Sequence, residues 1–149
     1  MKKKLFVALA AVFVAVFYSS CEKEPVFAGK WEYVALSDFF DMRMVLDLSE
    51  SSMVMSMFIS GDDGASWEEL GGLEGDITYT DETITVTPTR AKAIDGYDVE
   101  WFGPGDELYE EMLEDMGFEN NKLVIGYSVN GDQMTLTMDG DTQVFTKID

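Results

Sequence analysis

The stretch LVIGYSVNGDQMTLTMDGDTQVFTK, residues 123–147, indicates the fold of this 149-residue chain more clearly than any other. Apolar and polar residues alternate along it, which is typical of strands with one buried face. Asn130-Gly131 and Asp139-Gly140 interrupt the alternation, and both dipeptides favour the type I′ turns that join antiparallel strands. The stretch therefore predicts a three-stranded meander. The first turn would place Leu123 opposite Met138, Ile125 opposite Leu136 and Tyr127 opposite Met134, and the second would place Met134 opposite Phe145.

The same alternation recurs upstream and predicts further strands separated by Gly, Asp, Asn or Ser. Residues 66–73 are ambiguous because they contain Gly71-Gly72, and the loop at 37–41 carries the apolar pair Phe39-Phe40. The total is eight or nine strands. The upstream strands are predicted at residues 29–36, 42–48, 53–60, 77–80, 83–87 and 97–101.

One upstream hairpin has a defined register. A two-residue turn at Asp81-Glu82 would pair Tyr79 with Ile84 and Ile77 with Val86, which puts these four side chains on one face. Pro88 is predicted to end the second strand of the hairpin, because proline cannot donate a ladder hydrogen bond.

Residues 106–116 are predicted to form the one helix of the domain. Asp106 can cap its start, Gly117 suits its end, and apolar residues recur at helical spacing. Packing of this helix against the sheet is favoured over a mobile lid. The predicted fold is all-β: an antiparallel up-and-down barrel of about eight strands, with one short helix before the last three strands.

The amino terminus has the layout of a secretory signal peptide. Lys2, Lys3 and Lys4 precede an apolar run at residues 5–18, which is shorter than the roughly 20 residues of a spanning helix. An uncleaved spanning anchor is the alternative. Ser19 and Ser20 then lead to Cys21, the only cysteine, which has no partner for an internal disulfide.

The position of Cys21 resembles the lipobox of bacterial lipoproteins. The resemblance implies acylation of Cys21, attachment to a membrane through the acyl chains, and, with Glu22 following, the outer membrane on its periplasmic or cell-surface face. Several acyl chains anchor a protein firmly. The predicted organisation is a signal peptide at 1–20, the acylated cysteine and a tether at 21–27, and a barrel domain at 28–149.

Charge and composition narrow the function classes. The formal net charge of −19 argues against a nucleic-acid partner, because phosphate backbones are bound by Lys and Arg. The absence of histidine excludes catalysis and metal binding through histidine. The acidic surface is either a solvated exterior or an attraction for a basic protein partner.

Two motifs resemble lipocalins and lipocalin-like bacterial lipoproteins. Gly29-Lys30-Trp31 is similar to their Gly-x-Trp signature, and the ending from Tyr127 to Lys147 is similar to theirs. The resemblance implies a small eight-stranded barrel with an open mouth, and it implies that Lys147 packs over Trp31.

An eight-stranded barrel has room either for its own side chains or for one small ligand. We therefore expect a non-catalytic binder of a small apolar ligand, with no metal and no cofactor. The alternative is an interaction module with a solid core that docks a basic enzyme or envelope partner. The predicted ligand-binding residues are Tyr33, Met44, Met55, Met57, Tyr79, Trp101, Tyr127 and Met134.

The sequence disfavours three other kinds of site. Methionines 42, 44, 53, 55 and 57 could bind Cu(I) through thioethers, but a Met-rich core explains the same spacing. The acidic turns lack the ligand spacing of a calcium loop. The carboxylates of the predicted helix indicate a solvent-exposed face.

Overall fold

The computed structural model describes residues 24–61, 64–95 and 98–148, so the leader, Cys21 and Tyr97 lie outside the described residues. These described residues form nine strands and one helix, α1 (Glu107–Asp115), which lies between β6 and β7. The strands are β1 (Gly29–Ala35), β2 (Asp41–Leu48), β3 (Ser52–Ser60), β4 (Glu68–Tyr79), β5 (Thr83–Asp95), β6 (Asp98–Phe102), β7 (Leu123–Asn130), β8 (Gln133–Met138) and β9 (Asp141–Lys147).

Eight of the strands form a closed ring in the order β1-β2-β3-β4-β5-β7-β8-β9, and every neighbouring pair is antiparallel. The ring closes where β1 meets β9, with Trp31 opposite Lys147 and Glu32 opposite Thr146. The prediction of an up-and-down barrel of about eight strands, with one helix before the last three, is confirmed. The ninth strand, β6, pairs only with the second half of β5.

The prediction that a strand ends at Pro88 is wrong, because β5 continues to Asp95. The register between β4 and β5 shifts at this point: Gly75 lies opposite Pro88, whereas Glu74 lies opposite Arg90. Such a bulge accommodates a proline, which has no N–H to donate. The strand changes partner across the bulge, pairing with β7 before it and with β6 after it.

The predicted register between β7 and β8 is wrong by two residues. Asn130 lies opposite Gln133, Tyr127 opposite Leu136 and Val129 opposite Met134, so the turn residues are Gly131-Asp132. Gly131 has φ +61°, which fits the first turn position of a type II′ turn. A shift of two residues leaves the same side chains facing inward.

The other predicted turns are confirmed. The turn at Asp81-Glu82 pairs Tyr79 with Ile84 and Ile77 with Val86. Asp139 and Gly140 both have positive φ, as in a type I′ turn, and Met134 lies opposite Phe145.

Phe27 closes the end of the barrel at which β1 begins. Sequence analysis assigns Phe27 to the tether, but its side chain is fully buried. Its ring makes T-shaped contacts with Tyr79 and Tyr127, with centroids 4.9 and 5.3 Å away, and its carbonyl oxygen accepts a 2.7 Å hydrogen bond from Nε1–H of Trp31. The predicted placement of Lys147 is confirmed, with its Nζ 5.4 Å from the Trp31 ring centroid.

Helix α1 packs against β5, as predicted. Tyr109 and Leu113 are buried, and the Tyr109 hydroxyl donates a 3.0 Å hydrogen bond to the carbonyl oxygen of Pro88. Asp106 holds the N-cap position but does not cap the helix, because its carboxylate accepts from the backbone N–H of Gly103 instead, at 2.7 Å.

The helix ends as predicted at Gly117, which has φ +81°. The N–H groups of Gly117 and Phe118 donate to the carbonyls of Glu114 and Leu113, which is a Schellman motif. None of the helices in the described part of the chain combines the length and apolarity needed to cross a bilayer.

Candidate functional site

A cavity of about 360 Å³ lies inside the barrel. The alternation of β2 and β3 builds one wall, because Met44 lies opposite Met57, Leu46 opposite Met55 and Leu48 opposite Met53. Leu73, Ile84, Ile125 and Leu136 supply much of the remaining apolar lining. Six of the ten methionines in the chain line this one cavity: Met44, Met53, Met55, Met57, Met116 and Met138.

The polar lining is confined to exposed residues at one end of the cavity. Asp115 comes from the last turn of α1, whereas Asp139, Asp141 and Gln143 come from the β8–β9 turn and the start of β9. We call the three aspartates the acidic rim. Because β9 runs from this turn toward the end closed by Phe27, the acidic rim surrounds the opposite end of the barrel, which is the mouth.

The structure brings three of the eight predicted ligand-binding residues together. Met44, Met55 and Met57 all line the cavity. Met134 is fully buried within the core but is not part of the cavity lining. Tyr33 is half-buried against the core, with its ring centroid 5.5 Å from that of Phe145, and it does not belong to the lining either.

The remaining three predicted residues lie away from the cavity. Tyr79 and Tyr127 flank Phe27 at the closed end. Trp101 is 44% exposed on β6, outside the ring, where the guanidinium of Arg90 lies 4.0 Å from its ring centroid. These aromatic side chains therefore close the barrel or cover its outer surface.

Sequence reasoning missed the helix end as part of the site. Met116 and Phe118 line the cavity together with Asp115. The sequence contained a signal for this contact, because the predicted helix ends at a glycine. In a Schellman motif, the residue after the glycine commonly packs against the last turn of the helix. Phe118 follows Gly117 and stands in that position.

Two tyrosine hydroxyls have shifted titration, but neither belongs to the cavity lining. Burial, and secondarily the charge of Asp81 and the neighbouring Tyr79, raises the pKa of Tyr127, whose hydroxyl donates to the carbonyl of Thr80 at 2.8 Å. Burial, and then Glu110, raises the pKa of Tyr109. Burial is the largest cause of the raised pKa at both tyrosines.

Four ion pairs join basic and acidic side chains among the described residues, and none of them includes the acidic rim. The described residues also contain no group of three or more acidic side chains placed to hold a metal ion. The chemistry of the cavity is therefore that of an apolar chamber with a negatively charged opening.

No protein-family model matches the sequence, and neither a curated protein nor a solved structure matches it. The cavity and the residues around it are therefore the features of the molecule that bear on its function.

Proposed function

We propose that this protein is a non-catalytic binder of a small apolar molecule, held at the outer membrane by an acylated Cys21. The observation that carries the proposal is the cavity of about 360 Å³ with its apolar lining. Ligand sites for small molecules have volumes of roughly 300–1,000 Å³ and are mostly apolar. A barrel whose own side chains filled its interior would leave no such space.

The methionine content of the wall supports a tolerant site. Met44, Met55 and Met57 are half-buried, unbranched and polarisable, so their side chains can adjust to ligands of different shape. Thioether sulfur also makes favourable contacts with aromatic rings. A flat aromatic or unsaturated molecule therefore suits this wall.

The lipoprotein part of the proposal is supported by the sequence around Cys21. Cys21 precedes Phe27 by six residues, which span at most roughly 20 Å of extended chain. An acyl anchor would therefore be near the closed end of the barrel. The mouth, at the opposite end, would then be directed away from the membrane and would exchange ligand with the aqueous phase.

A neutral fluorescent ligand tests the binding function. N-phenyl-1-naphthylamine should bind saturably at one site and gain fluorescence. Met55→Trp places a ring in the cavity and should weaken binding by about tenfold or more. The matched control is Val54→Trp on the outward face of the same strand, where Val54 is 40% exposed, and it should leave binding unchanged. Equal effects of the two variants, or no saturable binding, would contradict the proposal.

A second candidate function is docking to a protein partner, which an exposed apolar loop favours. Leu36 and Phe39 in the β1–β2 loop are 77% and 89% exposed. Within this loop, the Ser37 hydroxyl oxygen accepts a hydrogen bond from the Phe40 N–H at 3.1 Å. Exposed apolar side chains grouped in one loop are typical of an interaction surface.

Photo-cross-linking in cells tests the docking function. A benzophenone amino acid at position 39 should give one predominant cross-linked product if the loop docks a partner. The same amino acid at position 124, where Val124 is 58% exposed on β7, is the control. Identical cross-linking patterns at the two positions would exclude a specific dock at the β1–β2 loop.

A further inference from the structure

The lining of the cavity mouth contains acidic side chains and no basic one. Asp115, Asp139 and Asp141 line the mouth, and no lysine or arginine belongs to the lining. The four ion pairs of the described chain involve Lys30, Arg43, Arg90 and Lys92 with acids elsewhere on the barrel. Lys147 lies over Trp31 at the closed end. Lys122, the remaining basic residue of the described chain, is next to the lining residue Leu123 but forms none of these ion pairs. Among the described residues, no basic side chain is therefore paired with the acidic rim.

The helix adds a second negative element at the same place. Residues Asp115 and Met116, at the carboxyl end of α1, line the cavity, so the negative end of the helix dipole lies at the mouth. Cations are usually favoured in the last turn of a helix. The last turn of α1 contains no basic residue and ends with Asp115, which repels the dipole. A positive group at the mouth would be attracted by the acidic rim and by the negative end of the helix dipole.

We infer that the ligand is an amphiphile with an apolar, preferably aromatic body and a cationic head, such as a primary or quaternary ammonium group. The body fits among the methionine thioethers, and the head lies at the acidic rim. Phe118 also lines the cavity beside the helix end, and an aromatic ring attracts a nearby cation. This inference rests on the proposed binding function and names the class of ligand for that cavity.

Three fluorescent ligands with one body and different heads test the inference. Dansylcadaverine has an ammonium head, 6-(dansylamino)hexanoate has a carboxylate head, and N-pentyl dansylamide is neutral. Purified protein expressed from the complete sequence should bind the ammonium ligand about tenfold or more tightly than the carboxylate ligand, because each exposed carboxylate changes affinity by roughly twofold to fivefold. The preference should decline as ionic strength rises.

Two triple variants separate the rim from the overall charge. The rim variant is Asp115→Asn, Asp139→Asn and Asp141→Asn, in which asparagine tolerates the positive φ of residue 139. The control removes three exposed acids from hairpin turns at the closed end: Glu50→Gln, Asp81→Asn and Glu82→Gln. Both variants lose three negative charges. The rim variant should bind the ammonium and carboxylate ligands within about twofold of each other, and the control should keep the preference of the unmodified protein.

The results distinguish failure of the inference from failure of the proposed function. If the neutral ligand binds but the ammonium ligand has no advantage, or if both triple variants lose the preference equally, the cationic head is refuted and the apolar binder stands. If none of the three ligands binds, both proposals are overturned.

Discussion

Truncation of Phe27 should destabilise the barrel strongly, although the residue lies before the first strand. Phe27 is fully buried and packs against the rings of Tyr79 and Tyr127 at 4.9 and 5.3 Å. A buried phenylalanine removes roughly 150–250 Å² from water, which at about 25 cal/mol per Å² corresponds to about 4–6 kcal/mol. Measured Phe→Ala substitutions in cores cost about 3–5 kcal/mol. We therefore expect Phe27→Ala to lower the free energy of unfolding by about 3–5 kcal/mol.

Urea denaturation followed by tryptophan fluorescence measures this change. A domain of this size has a total stability of about 5–15 kcal/mol, so the variant should lose a large fraction of it, with a melting temperature lower by roughly 10–20 °C. Phe39→Ala is the matched control, because Phe39 is 89% exposed and its removal should change stability by less than about 0.5 kcal/mol. If Phe27→Ala costs less than about 1 kcal/mol, Phe27 does not close the barrel.

Two further substitutions test the sheet and the helix contact. Gly71→Ala should lower the free energy of unfolding by about 1–3 kcal/mol, because its Cβ would lie 2.5 Å from the backbone oxygen of Lys92. Gly61→Ala is the control and should be close to neutral, because a Cβ at Gly61 would meet open space. Equal effects of the two substitutions would contradict the close approach of β4 and β5. Burial raises the pKa of Tyr109 above 10.0, so the unfolded chain loses this proton first and stability should fall as pH rises above about 10. Tyr109→Phe should lower the free energy of unfolding by about 1 kcal/mol at neutral pH, because the hydrogen bond to the Pro88 carbonyl is lost. Above about pH 10, the urea midpoint of this variant should fall less steeply with pH than that of the unmodified protein. An equally steep fall would contradict the role of Tyr109 in the alkaline loss of stability.

The parts of the fold that sequence reasoning predicted correctly depend on short-range patterns. Two residues separate the strands at Asp81-Glu82, so the turn alone determines the register of that hairpin. The period-two alternation of β2 and β3 similarly predicted which methionines face inward. In these segments, local geometry and burial favour the same arrangement.

The errors occurred where two local rules compete. Asn130-Gly131 and Gly131-Asp132 each contain a glycine that suits a hairpin turn, and the choice between turn types shifts the register by two residues. Proline usually ends a strand, but a bulge at Pro88 lets β5 continue and change partner. The register shift against β4 accommodates Pro88 within β5, and this pairing with another strand is not visible in the local sequence.

The candidate site was predicted in part for a similar reason. Alternation identifies inward-facing residues, but it does not give their height along the barrel axis. Tyr79 and Tyr127 lie at the closed end, where they pack against Phe27, and neither lines the cavity. Trp101 follows the same alternation in β6, a strand that leaves the ring. The size of the cavity depends on the distance between opposite walls, which no local pattern encodes.

The closed barrel depends on the pairing of β1 with β9, and only a closed ring of strands can enclose the cavity. The Ile148 N–H donates to the Lys30 carbonyl at 2.9 Å, so the next pair, Trp31 and Lys147, is a non-hydrogen-bonded pair with Cα atoms about 4.5 Å apart. NMR spectroscopy of isotope-labelled protein should therefore detect a strong nuclear Overhauser effect between the Hα protons of Trp31 and Lys147, together with slow exchange of the Ile148 amide. Absence of that effect, with an Ile148 amide that exchanges as in an unfolded chain, would contradict the closed barrel.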